Sequence, residues 1–189
     1  RLREGNALQS QANALCELER HEEALAAAEQ AGRLYSEVGD RLGQGYALRA
    51  PADALHKLGR NAEALDRAQQ AQALLAAVGS TMGPAGALRS LTDALRKLGR
   101  AEEAIACARQ AEATYAEMNY REGQAGALLA LALAADEAGR KDEAEAAARQ
   151  AEALYTASGM GAMAEYAQYV ADALIEAPPE DAGGRAVAR

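Results

Sequence analysis

Leu98-Gly99-Arg100-Ala101-Glu102-Glu103-Ala104 is the stretch that decides the fold. It returns as Leu58-Gly59-Arg60-Asn61-Ala62-Glu63-Ala64 and as Ala138-Gly139-Arg140-Lys141-Asp142-Glu143-Ala144. A degenerate copy stands at Leu18-Glu19-Arg20-His21-Glu22-Glu23-Ala24. Each copy reads as a helix that ends at a turn, followed by a second helix that begins on acidic residues, where the helix dipole favours negative charge. The copies lie 40 residues apart, and a fixed period of that size is the mark of a stacked repeat array.

Outward from these turns, the chain divides into repeats 1–40, 41–80, 81–120 and 121–160, with a half repeat at 161–177. In repeat three the first helix is expected from Pro84 to Leu98. Proline suits a first turn because the N–H it lacks would be unpaired there anyway. Leu88, Leu91, Ala94, Leu95 and Leu98 fall at three- and four-residue spacing, which puts them on one stripe. The second helix is expected from Ala101 to Met118, with Ala104, Ile105, Ala108, Ala111 and Tyr115 as its buried stripe. Equivalent stripes are Ala24, Leu25, Ala28, Ala31 and Tyr35; Ala64, Leu65, Ala68, Ala71 and Leu75; and Ala144, Ala148, Ala151 and Tyr155. Neither helix of a pair can bury its stripe alone, so successive pairs stack into one continuous thin core. The expected fold is all-α, a solenoid of antiparallel helix pairs.

Small residue, Leu-Gly-Arg, two acidic residues, then Ala at four- and three-residue intervals resembles the tetratricopeptide repeat, over residues 1–177. Leu88, Leu91, Thr92, Leu95, Gly99, Ala104, Ala108 and Ala111 follow that family's order. The usual unit is about 34 residues, and the 40-residue unit resembles the longer repeats of bacterial regulatory and signalling proteins. The resemblance implies a right-handed superhelix with first helices on the inner wall and second helices on the outer wall. Some members hold the acidic C-terminus of chaperones with Lys, Asn and Arg on their first helices. The matching places here are Gln9, Asn13, Ala50, Gly86 and Ser90, so only the Asn remains and that mode is not expected.

Two positions depart from the pattern. Pro51 falls inside the first helix of repeat two, where proline costs about 3 kcal/mol in an ordinary helix. It reads either as a tolerated kink or as a bend that shapes the inner wall. Glu19 replaces the glycine of its sister turns, and glycine alone adopts the left-handed conformation freely, so that turn is expected to be built differently.

Composition narrows the function classes. The 189 residues contain no Trp, no Phe and seven Tyr, and the net charge of −8 opposes a phosphate backbone. Direct nucleic-acid binding is therefore not expected. No run of 18 apolar residues is present, which argues against a membrane span. Cys16 and Cys107 lie in different repeats and supply too few ligands for zinc; no metal and no cofactor is expected. The excess of Arg over Lys, with the high Ala content, points to a bacterial source, and the reduced cysteines to the cytoplasm. Starting at Arg1 without Met or leader, the chain is expected to be part of a longer protein, and Pro178–Arg189 to be a flexible tail or linker.

Catalysis has no foothold. His21 and His56 stand in different repeats, and neither has a Ser or Cys nucleophile at a justified spacing. What remains is the concave face. Projection of the first helices directs the equivalents of positions 89, 93 and 96 toward it: Gln9, Arg49, Arg89 and Leu129; Asn13, Asp53, Asp93 and Leu133; His56, Arg96 and Asp136, with Tyr46 one turn earlier. Leu129 and Leu133 are expected as exposed apolar anchors beside charged residues, suiting an extended or helical peptide. The competing reading is a solvated face with Arg49–Asp53 and Arg89–Asp93 as intrahelical pairs. The expected function is a non-catalytic scaffold that binds a protein or peptide, within a larger bacterial regulator. Two other readings are a ligand- or signal-peptide-sensing domain and a homo-oligomerisation module that pairs through the solenoid ends, using Tyr166, Tyr169, Val170 and Leu174.

Overall fold

The structure, a computed structural model, describes residues 1–176 apart from the side chains at positions 53, 175 and 176. Residues 177–189, and with them the expected tail, lie outside that description. The described elements are α1 (Leu2–Glu17), α2 (His21–Glu37), α3 (Arg41–Lys57), α4 (Asn61–Ala77), α5 (Gly83–Lys97), α6 (Ala101–Glu117), α7 (Arg121–Glu137), α8 (Lys141–Ala157) and α9 (Gly161–Glu176). Each packs on its chain neighbours. In addition α1 touches α3, α3 touches α5 and α5 touches α7, whereas the second helices stand farther apart. The stack therefore curves with first helices on its inner wall.

The turns carry a shorter period than the sequence motif suggests. Residues 19, 39, 59, 79, 99, 119, 139 and 159 all have positive φ, between 53° and 76°. At each, the left-handed residue donates its N–H three residues back and the next residue donates five back, as in Gly99 N–H to Arg96 O and Arg100 N–H to Leu95 O. This satisfies two carbonyls left unpaired at the helix end. The same Arg100 then accepts from Ala104 N–H, so one residue closes a helix and opens the next. Turns within and between repeats thus close their helices alike and the half-unit is 20 residues, although between α4 and α5 Thr81 and Met82 are added before the next helix begins.

Glu19 does not change its turn. At φ 58° it makes the same two bonds as its glycine sisters, because the packing of α1 on α2 imposes the geometry. Pro51 is likewise accommodated: α3 runs unbroken through it, and its ring is fully buried.

Burial differs between the two kinds of helix. In α4 and α6 the buried residues are those of the expected stripes; α2 adds Ala27 and Leu34, and α8 adds Ala147. The first helices α5 and α7, inside the stack, bury a much wider arc, while α1 at its end buries only Gly5, Ala12 and Leu15. In α5 it takes in Ala85 to Leu88, Ser90 to Thr92, Ala94 and Leu95. In α7 it takes in Ala125, Ala127 to Ala132, Ala134 and Ala135. These helices are flanked by two second helices and touch other first helices too. Leu98, expected in the stripe, is 38% exposed at the turn. On α9, Tyr166 and Tyr169 project outward, but Val170 is buried and Leu174 packs against the core, so neither of the latter is open for end-to-end pairing.

Close approach rests on small residues. Near the end of second helices a large side chain wedges against glycine on a first helix. A Cβ at Gly45 would stand 2.6 Å from Leu75, and one at Gly43 2.5 Å from Tyr35. Tyr35 further donates a 2.8 Å hydrogen bond to Asn6 Oδ1 across repeat one.

Four substitutions test these constraints by thermal or urea unfolding. Glu19→Gly raises stability by about 0.5–1 kcal/mol, and Gly99→Ala lowers it by about 1 kcal/mol, since only glycine is unstrained at positive φ. Gly45→Ala destabilises by about 1–3 kcal/mol through overpacking, although an open helical glycine replaced by alanine gains up to about 1 kcal/mol. Gly161→Ala, with nothing within 4 Å of the added Cβ, is the control that gains or stays neutral.

Candidate functional site

A cavity of about 410 Å³ opens on the inner wall. Tyr46 and Arg49 reach it from α3, Arg89 from α5, Tyr115 from the end of α6, Glu122 and Gly126 from α7, and Tyr155 from α8, with Tyr120 at the turn before α7. Missing side chains make the space. Gly86 and Gly126 occupy the register at which repeat two carries Tyr46. A Cβ at Gly86 would lie 2.7 Å from Arg49 Nη1, so the guanidinium rests over that glycine, and a Cβ at Gly126 would meet the Tyr155 hydroxyl at 3.4 Å.

The walls are aromatic and cationic. Tyr115 and Tyr120 meet edge to face with centroids 5.6 Å apart, a favoured aromatic arrangement. Arg49 stands 5.9 Å from the centre of the Tyr46 ring, within cation–π range. Tyr120 donates to Glu122 Oε2 at 3.3 Å. Neither Arg49 nor Arg89 has an ion-pair partner among the described residues, and Arg49 Nε is buried without a hydrogen bond. The arginines that precede second helices are matched: Arg20, Arg60, Arg100 and Arg140 each pair with the glutamate three residues on. These exposed pairs add little stability.

A second, smaller cavity of about 270 Å³ adjoins the first and shares Tyr46 and Arg49 with it; Gln9, Asn13 and Asn6 line its far side. Tyr46, Arg49, Arg89, Gln9 and Asn13 therefore gather along one groove. The other expected residues do not line either cavity. Arg96 bridges α5 to α7 through Glu137 at 2.8 Å and faces Asp93 at 3.5 Å. Among the described residues no ion pair links Arg89 to Asp93, and the side chain of Asp53 is outside the description. His56 Nδ1 lies 3.1 Å from Asn61 Oδ1 at the turn, and Asp136 pairs with Lys141.

Leu129 and Leu133 require correction as exposed anchors. Leu129 is 7% exposed within the core and Leu133 is half-buried against it. The wide buried arc of α7 takes in the register at which Arg89 escapes, because a long arginine carries its charged end out of the packing while a leucine stays in it.

Tyr115, Tyr120, Tyr155 and Glu122 join the groove without any expectation from the sequence pattern. Tyr115 and Tyr155 belong to the buried stripes, yet their rims form the cavity floor. Their signal is the glycine at 123 and 126, which lets Tyr115 and Tyr155 lie close against α7 with their rims on the cavity.

No family model and no curated protein matches the chain. Solved structures do. Aspartyl phosphate phosphatase F from Bacillus subtilis superposes with a TM-score of 0.83 at 15% identity, over 94% of this chain and 47% of that one. A Rap protein complexed with competence and sporulation factor gives 0.77 at 15% identity, over 92% of this chain and 54% of that one. The TPR-like repeats of a putative kinesin light chain from Podosopora anserina give 0.64 at 16% identity, over 90% and 94%. The fold is a tetratricopeptide-like solenoid. This TPR-like chain spans about half the length of the first two structures. Among the described residues no cluster of His, Cys, Asp and Glu could hold a metal ion, and no helix is long and apolar enough to cross a membrane.

Burial pushes the phenols of Tyr35, Tyr115 and Tyr155 up; at Tyr115 the positive charges of Arg89 and Arg49 partly oppose it. A raised phenol stays protonated in the folded chain after the unfolded chain has lost its proton. Stability is therefore intact below about pH 10 and falls as pH rises above it. Titration at 295 nm should show absorbance still climbing beyond the pH at which free tyrosine is fully ionised, and unfolding midpoints should drop over the same interval.

Proposed function

We propose that this chain is a non-catalytic binding module that holds a protein or peptide segment along its inner wall, as part of a larger regulator. The observation that carries this is the 410 Å³ cavity, whose lining joins α3, α5, α6, α7 and α8 and is built largely of tyrosine and arginine. Those residue types dominate binding energy at interfaces: tyrosine offers large contact area and a hydroxyl with few rotatable bonds, and arginine a planar fork of donors. The cavity also lies within the size range of ligand sites, about 300–1,000 Å³. The shape of the groove, continued by the smaller cavity past Asn13, suits an extended segment. The similarity to a Rap protein complexed with competence and sporulation factor agrees with a binding role.

No nucleophile–base pair faces the groove among the described residues, which argues for capture and against turnover. The wider cleft of about 430 Å³ lies between α2, α3 and α4 and includes the Arg67–Glu29 pair at 3.2 Å. That pair neutralises one of the two arginines in this cleft, whose other cation is Arg33 at its edge, and no tyrosine lines it.

Gly126→Leu tests the assignment. The first added carbon fits and the rest of the side chain projects into the cavity. Peptides selected by the whole chain from a random phage-displayed library should lose binding to the variant by more than about tenfold, with unfolding stability unchanged or raised. Binding that survives would remove the groove from consideration.

A further inference from the structure

The charges around the groove narrow what it selects, and this inference rests on the proposed binding role. Arg49 and Arg89 are equivalent residues of successive repeats, and both border the one cavity. No described carboxylate pairs with either, although the chain carries an excess of acidic residues. Arg49 Nε is buried without a partner, so the chain itself leaves this guanidinium only partly satisfied. Gly86 leaves the space in which the Arg49 guanidinium lies.

We infer that the cavity selects a segment carrying an aspartate or glutamate side chain, seated between Arg49 and Arg89, with the residue beside it packed on the rings of Tyr115 and Tyr155. Two arginines and Glu122 give the lining a formal charge of +1, which matches a singly charged carboxylate better than a dianionic phosphate. The planar guanidinium fork fits a carboxylate with two parallel hydrogen bonds. Glu122, held by the Tyr120 hydroxyl at the rim, disfavours a second negative charge and so restricts the acidic residue to one place. A ligand carboxylate would meet the terminal nitrogens of the two guanidinium groups, in charge-assisted hydrogen bonds stronger than neutral ones.

The test uses the whole chain and a bead library of acetylated, amidated heptapeptides randomised at every position, in which a carboxylate can come only from a side chain. Selected sequences should share an Asp or Glu at one position. Converting that residue to Asn or Gln should weaken binding at least about tenfold. Arg89→Gln and Arg49→Gln should each cost the acidic peptide at least about tenfold and cost its neutral counterpart little. Arg49→Lys keeps the charge and serves as the folded control if Arg49→Gln unfolds. Arg33→Gln, on the opposite cleft, should change neither peptide. Four of the seven tyrosines line the cavity and no Trp is present, so intrinsic tyrosine fluorescence reads binding directly.

Selected peptides without an acidic preference, or with one that survives both arginine replacements, overturn this inference while leaving the groove reading intact, provided Gly126→Leu still abolishes binding. Peptides that bind only with a free C-terminus overturn the side-chain source. A library that yields no binder overturns both readings.

Discussion

The left-handed residue at every twentieth position is the constraint on which the rest depends. It stops each helix at a fixed length by satisfying the last carbonyls, and it turns the chain back in a set direction. At every turn but the one between α4 and α5 the residue after it also starts the next helix, so there is little slack between elements. Helices of near-equal length must then lie side by side in register. Even Glu19, which has no intrinsic liking for that conformation, is held in it, and Asn119 takes it in place of the glycine at sister turns.

Register brings particular side chains opposite one another. Large residues at the ends of second helices, Tyr35, Leu75, Tyr115 and Tyr155, meet small residues on first helices. With helices this close, alanine suffices for most of the core, and dispersion contacts accumulate over many thin layers rather than in one thick centre. The same rule that packs the core opens the groove. Where glycine stands at 123 and 126, Tyr115 and Tyr155 lie close against α7, and their phenol rims become a floor of the groove.

Charge follows the same geometry. Arginine before each second helix finds a glutamate one turn on, and those pairs sit in solvent on the turn side of the stack. Arg49 and Arg89 are placed instead on the inner wall, where Glu122 is the carboxylate among the described residues that shares their cavity. That placement is why the chain can be strongly acidic overall and still carry unmatched positive charge in its groove.

The repeat, the helix boundaries to within a residue or two and the buried stripes of the second helices were legible in the sequence, because local turn chemistry and a 3.6-residue period write them into neighbouring residues. Gln9, Asn13, Tyr46, Arg49 and Arg89 were legible as inner-wall positions for the same reason. What the tertiary structure alone decided is which of those positions share a cavity. Leu129 and Arg89 occupy the same register, yet one is core and one borders the groove. That outcome depends on how many neighbours each first helix touches and on how far each side chain can reach past them. Likewise the floor of Tyr115 and Tyr155 depends on glycines of α7 that let those rings lie close against it, a relation between different helices that no local pattern contains.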